Sequence, residues 1–285
     1  MRWTPGGISG DVEDRRGQGG FRMGGPQLGL GGTLLLLLLS VIFGRNFLSF
    51  FSGSPGAAPA VGSASRSTVE SPDEARLVEF VSFVLDDAQT TWDRVLPQET
   101  GMPYRHAKLV LFRDATQSAC GTAQTATGPF YCPADEKVYI DLGFYDELKN
   151  RFGAPGEFAQ AYVLAHEIGH HVQNLLGITN KMQSLQERDP AASNPLSVRL
   201  ELQADCLAGV WGNSTAQRDL IDQSDVEAGM RAAGAVGDDR LQKMARGYLS
   251  PESFTHGSSA QRTAWFQRGL KDGHISQCNT FAAGN

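Results

Sequence analysis

Apolar side chains recur at helical spacing through most of this chain and gather at strand-like density in only two places. In residues 73–92, Leu77, Phe80, Val81, Phe83, Val84 and Ala88 repeat at helical period with Asp and Glu between them, which predicts an amphipathic helix opening a folded domain. Residues 108–112 and 138–141 are short β-branched or apolar runs bounded by Gly, Pro and Asp, and predict strands. The second of these is expected to offer an open edge to an extended peptide. A helix is predicted from Pro155–Glu157 to Gly177, since Pro suits a first turn and Gly a C-terminal cap. Phe158, Ala161, Tyr162, Ala165, Ile168, Val172 and Leu175 give it one apolar face. A further helix is predicted over 195–211, with Val198, Leu202, Cys206 and Val210 on its buried side. The stretch between the two, containing Asp189-Pro190 and Asn194-Pro195, reads as a connecting excursion. Segments 226–233, 239–248 and 260–270 also carry helical patterning, so the expected class is α+β, mainly helical with a small sheet.

The start of the chain reads differently. Residues 27–43 are free of charge and dominated by Leu34 to Leu39, and apolar character resumes at Phe47, Leu48, Phe50 and Phe51. A bilayer span needs about 20 apolar residues, so one transmembrane helix is predicted over 27–50. Arg2, Arg15, Arg16 and Arg22 precede it, which favours an uncleaved anchor over a signal peptide and puts the N-terminus inside. Residues 51–72, rich in Ser, Ala, Gly and Pro, read as a flexible linker. The expected organisation is a cytoplasmic segment 1–26, an anchor 27–50, the linker, and a domain over 73–285 outside the cytoplasm. A formal charge of −6 offers no basic footprint, so nucleic acid is not an expected partner.

Cys120, Cys132, Cys206 and Cys278 include no C-x-x-C pair, which excludes a zinc ribbon and a thioredoxin-like motif. In an exported domain they suggest disulfides, Cys120 with Cys132 across a short Gly/Pro/Thr loop and Cys206 with Cys278. The alternative is that Cys206 is a small buried hydrophobe and the others are free thiols.

The chemistry-bearing residues lie on the two central predicted helices. His166 and His170 stand one turn apart, so both imidazoles project to one side and reach a single metal ion at roughly 2.0 Å. Glu167 lies angularly between them, where its carboxylate can take a proton from metal-activated water without being a ligand. Catalytic zinc needs a third protein ligand, and Glu201 in Glu201-Leu202-Gln203-Ala204-Asp205 supplies a candidate. Asp205, one turn later, would accept the free ring N–H of a histidine ligand, most naturally His166. The bland reading, two solvated acids, conflicts with the apolar neighbours Leu202, Ala204, Leu207 and Ala208. His171 points away from the shared face and is expected to pack or hydrogen-bond, while His106 and His274 have no supporting context. His256, in a turn just before a helix, could point back at the site and stabilise an oxyanion.

With these residues in view, the chain resembles the bacterial putative neutral zinc metallopeptidases, single-span membrane proteins of zincin-like fold. The likeness is carried by Met1-Arg2-Trp3, Val12 to Gly17, Gly128 to Pro133, His166 to His170, Glu201 to Cys206, and Ser253 to Arg262 with Trp265-Phe266. The order of these motifs is also similar to that of membrane metallopeptidases that process prenylated or misfolded membrane proteins. The resemblance implies that Glu201 is the third zinc ligand, Asp205 orients a ligand, His256 stabilises the transition state and Arg262 is a structural partner. One departure is Gly257, which stands where those distant relatives tend to carry Pro. The function expected is a membrane-anchored zinc endopeptidase acting on peptide or protein substrates, with Glu167 as general base. The alternatives are a non-catalytic tethered protein that keeps zinc for stability, and a zinc hydrolase of non-peptide amides. A structural zinc site has no use for Glu167 and is normally closed by four protein ligands.

Overall fold

The amphipathic stretch 73–92 lies within one long helix, α1 (Pro72–Thr100), in a computed structural model that describes residues 1–17 and 71–282. Its start is set by Ser71, whose hydroxyl accepts the Glu74 N–H at 3.1 Å, followed by Pro at the first turn. Its end is set by Gly101, at φ 72°. Val81, Val84, Leu85, Ala88, Trp92 and Leu96 bury its inner face.

The sheet is built from β1 (Val12–Asp14), β2 (Lys108–Phe112), β5 (Phe130–Cys132) and β6 (Lys137–Asp141), in the order β1-β2-β6-β5. β1, β2 and β6 run parallel, and β5 pairs antiparallel with β6 at the edge. Four of the five residues in each of β2 and β6 are buried, matching their continuous apolar runs. The expected open edge at 138–141 is not there, because β6 is paired on both sides; the edge strands of the sheet are β1 and β5. A hairpin, β3 (Ala115–Ser118) with β4 (Gly121–Gln124), leaves the sheet between β2 and β5. Asp141 secures this excursion by accepting the Asp114 N–H at 3.0 Å, the Gly143 N–H at 2.9 Å and the Thr125 hydroxyl.

The remaining helices are α2 (Gly143–Asn150), α3 (Glu157–Leu175), α4 (Ile178–Arg188), α5 (Ser193–Gln217), α6 (Gln223–Ala235), α7 (Asp238–Arg246) and α8 (Ser259–Asp272). α4 occupies the predicted connecting excursion; Met182 is its one buried residue, so it carries little core signal. α5 is the hub. Asp87 of α1 accepts the Trp211 indole N–H at 2.8 Å and pairs with Arg218, which ties α1 to α5. α8 lies on α5 with backbones touching: a Cβ on Gly269 would sit 1.9 Å from the Cys206 carbonyl oxygen. Both predicted disulfides are present, Cys120–Cys132 and Cys206–Cys278. The second closes 72 residues and fastens α5 to the chain beyond α8, a constraint worth about 4 kcal/mol in the loop-entropy account.

The N-terminal residues overturn the expected membrane arrangement. Arg2 N–H donates to the Leu220 carbonyl at 2.7 Å, Trp3 packs on Phe80 at 5.3 Å, and Val12–Asp14 pair with Leu109–Leu111. Residues 1–17 are therefore part of the same folded body as the domain. A single span at 27–50 would hold β1 and β2 apart by about 30 Å of hydrocarbon, so they could not share a ladder. No helix among the described residues is long and apolar enough to cross a membrane, and the segment 27–50 and its linker lie outside those residues. The fold is mainly helical with a small sheet, and the expected transmembrane helix, single-pass anchor and extracytoplasmic placement are withdrawn.

Candidate metal centre

α3 presents His166, Glu167 and His170 toward α5, and the two helices cross closely enough to complete the group. The contact point is Gly169, inside the histidine motif. A Cβ there would lie 2.9 Å from the Ala204 carbonyl oxygen, so a larger residue would force the helices apart. At this crossing Glu201 faces both histidines, with Oε2 3.2 Å from His166 Nε2 and Oε1 3.4 Å from His170 Nε2. One donor atom from each of the three lies within 4.8 Å of the others, a group that could hold a metal ion. Tetrahedral zinc with bonds near 2.0 Å sets its ligands about 3.3 Å apart, so the spacings to Glu201 fit the ion.

The far nitrogens are fixed by buried partners. His166 Nδ1 lies 2.8 Å from Asp205 Oδ1. A carboxylate only accepts, so Nδ1 carries a proton and Nε2 is the nitrogen turned to the centre, where its lone pair would meet an ion. Asp205, fully buried, also accepts from the Tyr162 hydroxyl, from Arg262 Nε at 2.8 Å and from Arg262 Nη2 at 2.9 Å. His170 Nδ1 faces Gln173 Oε1 at 2.8 Å; the Gln173 amide is oriented by donating to the Leu200 carbonyl and to Gln203. Gln203 in turn donates to the carbonyl of Cys278 at 2.9 Å, beside the disulfide.

Charge follows this arrangement. Burial alone would depress the His166 pKa, but Asp205 and Glu201 outweigh it and raise it to about 10 without an ion. Burial works against the charge on Glu201, yet the two histidines hold its carboxyl well below the usual range. Burial raises Glu167, only partly offset by His166 and His170. Glu167 has no hydrogen-bond partner among the described residues and lines a cavity of about 300 Å³. His166, His170, Glu201, His256 and Arg262 line the same cavity, and Phe130, Phe144, Phe152, Val163, Val236 and Leu241 form its apolar part.

The predicted residues thus come together. His256, whose side chain is 42% exposed, reaches the cavity wall. His171 does not join them: fully buried, it bonds the Arg105 carbonyl through Nε2 and the Tyr131 hydroxyl through Nδ1, locking β5 to α3. His106 and His274 pair with surface carboxylates. Sequence reasoning missed Tyr162, read only as apolar face, and the orienting amides of Gln173 and Gln203. Gln173, three residues after His170, could have been found by the same turn spacing that marked the histidines.

Removing the Asp205 carboxylate strands a buried guanidinium. Asp205→Ala should lower unfolding free energy by roughly 3–5 kcal/mol in urea titration. Asp205→Asn, which keeps an acceptor, should cost less. Equal losses would mean that the retained acceptor contributes little and that the lost charge pairing with Arg262 carries the whole effect.

Comparison with known proteins supplies relatives and a family. Escherichia coli (strain K12) has a relative, the uncharacterized protein YpfJ, 46% identical over 289 residues and covering 99% of both chains. The uncharacterized protein Rv2575 of Mycobacterium tuberculosis (strain ATCC 25618 / H37Rv) is 41% identical over 209 residues, covering 70% of this chain and 68% of its own. No solved structure matches the chain. The profile of the putative neutral zinc metallopeptidases matches residues 1–281, and the chain belongs to that family.

Proposed function

We propose that this protein is a zinc-dependent endopeptidase in which His166, His170 and Glu201 hold the ion and Glu167 is the general base. The observation that carries the reading is the Glu167 carboxylate, without a hydrogen-bond partner among the described residues, beside a three-donor set spaced for tetrahedral zinc. Zinc bound there would supply Lewis acidity, activating water and polarising the scissile carbonyl.

Glu167 takes the proton released by the attacking water and returns it to the leaving amine. A carboxyl raised by burial suits both halves of that transfer, since its basicity lies closer to neutrality than a solvated Glu. Asp205 and Gln173 keep the histidine Nε2 lone pairs aimed inward. His256, on the cavity wall, supports the oxyanion as the carbonyl becomes tetrahedral. The apolar part of the cavity suits a bulky apolar side chain beside the scissile bond. The open edge of β5, whose Phe130 lines the cavity, suits the extended substrate backbone.

Glu167→Gln should bind zinc as the wild type does while its peptide hydrolysis drops by about 10²–10⁴-fold, measured by metal analysis and peptide cleavage. Full zinc with undiminished cleavage would remove Glu167 from the mechanism. Zinc affinity should also depend on pH in a defined sense. In the ion-free protein the raised His166 pKa contributes stability below 6.5 that is lost as pH rises through about 10. Zinc requires the neutral imidazole and competes with that proton. Its apparent affinity, followed by chelator competition between roughly pH 6.5 and 8.5, should rise about tenfold per pH unit. A flat profile would contradict the assignment of His166 as a ligand.

A further inference from the structure

We propose that Asp238 is the positioning residue of His256, fixing both the loop that carries this histidine and the orientation of its ring. This inference rests on the reading of His256 as an oxyanion partner. Asp238 is the first residue of α7 and is 7% exposed. Its carboxylate turns away from its own helix. Oδ2 accepts three successive backbone N–H groups, from Thr255 at 2.8 Å, His256 at 2.6 Å and Gly257 at 3.0 Å. Oδ1 lies 3.2 Å from His256 Nδ1, and the Asp238 N–H donates back to the Gly257 carbonyl at 2.8 Å. The next residue extends the clamp: Asp239 Oδ1 accepts both the N–H and the hydroxyl of Ser259 at 2.7 Å.

Gly257 is the residue that allows this loop to close. It sits at φ 90°, outside the range open to proline, and it supplies the third N–H, which proline lacks.

A loop staple alone would need only Oδ2. The second oxygen is spent on the imidazole, and because a carboxylate only accepts, it sets the proton on Nδ1. The Thr255 hydroxyl oxygen, 3.0 Å from Nδ1, shares that N–H. Nε2 is left without a hydrogen-bond partner among the described residues, on a side chain that lines the cavity. With Nδ1–H held by the carboxylate, Nε2 donates to a developing oxyanion as the imidazolium, a form the adjacent Asp238 charge stabilises and His256 on a free loop would not hold in place reliably.

The test is Asp238→Asn in the full-length protein. This change keeps one oxygen for the three backbone N–H groups but sets an amide NH₂ against Nδ1. The first readout is long-range ¹H–¹⁵N correlation of the histidine rings, with His256 assigned by its loss in His256→Gln. The neutral wild-type ring should be protonated on Nδ1, and Asp238→Asn should move the proton to Nε2. The second readout is a double-mutant cycle on peptide hydrolysis by the zinc-loaded protein. Asp238→Asn should lower kcat by about 10-fold or more with KM changed less than about twofold. In the His256→Gln background the same substitution should change kcat less than about twofold. An unchanged ring pattern, or kcat losses that multiply, would overturn the proposal. A wild type that cleaves nothing would instead overturn the peptidase reading, and the ring pattern would still decide whether Asp238 positions His256.

Discussion

Asp205 accepts hydrogen bonds from His166 and Tyr162 on α3 and from Arg262 on α8, while being itself part of α5. One buried carboxylate therefore joins the three helices that make the centre. Burying a charge costs several kcal/mol unless it is paired and hydrogen-bonded; here Arg262 pairs with it and four donors reach it, three on Oδ1 and one on Oδ2. What the arrangement provides is geometry. It sets the tautomer of His166, and it requires α3, α5 and α8 to lie at contact distance. Gly169, Gly209 and Gly269 permit that approach, since a side chain at any of them would meet the neighbouring backbone. The site and the helix packing are two aspects of the same constraint.

The segments bordering the cavity are secured in a similar way, each by one buried polar side chain. Asp141 holds the hairpin excursion that ends in Thr125, Thr127 and Gly128. His171 holds the edge strand through Tyr131, which also accepts from Asn174. Asp238 holds the His256 loop. A cavity bounded by loops is in this way built on rigid supports, which is what a site needs if reacting groups are to keep their places.

The centre was legible in the sequence because its residues obey helix arithmetic. His166, Glu167 and His170 share one helical face, as do Glu201 and Asp205, and acids among Leu202, Ala204 and Leu207 need partners. The main helices were legible for the same reason. β1 was not, because Val12-Glu13-Asp14 has no strand signature of its own; it becomes a strand only by pairing with β2, with Lys137 and Arg15 answering Glu13. Asp238 was equally hidden, since its partners lie 17 to 19 residues away across a turn. The anchor reading failed for a related reason. Hydropathy in 27–50 and the arginines before it carry no record of the contacts that decide the topology, which residues 1–17 make with the domain.

In the proposed centre one zinc ion would be held by His166, His170 and Glu201, with Glu167 close by but not bound to it. Anomalous diffraction at the zinc edge from crystals of the zinc-loaded protein tests this directly. The expected result is a single strong peak bonded to Nε2 of both histidines and to the Glu201 carboxylate, with no protein atom in the fourth position. A peak elsewhere, or one in which Glu167 or a fourth side chain closes the coordination shell, would contradict it.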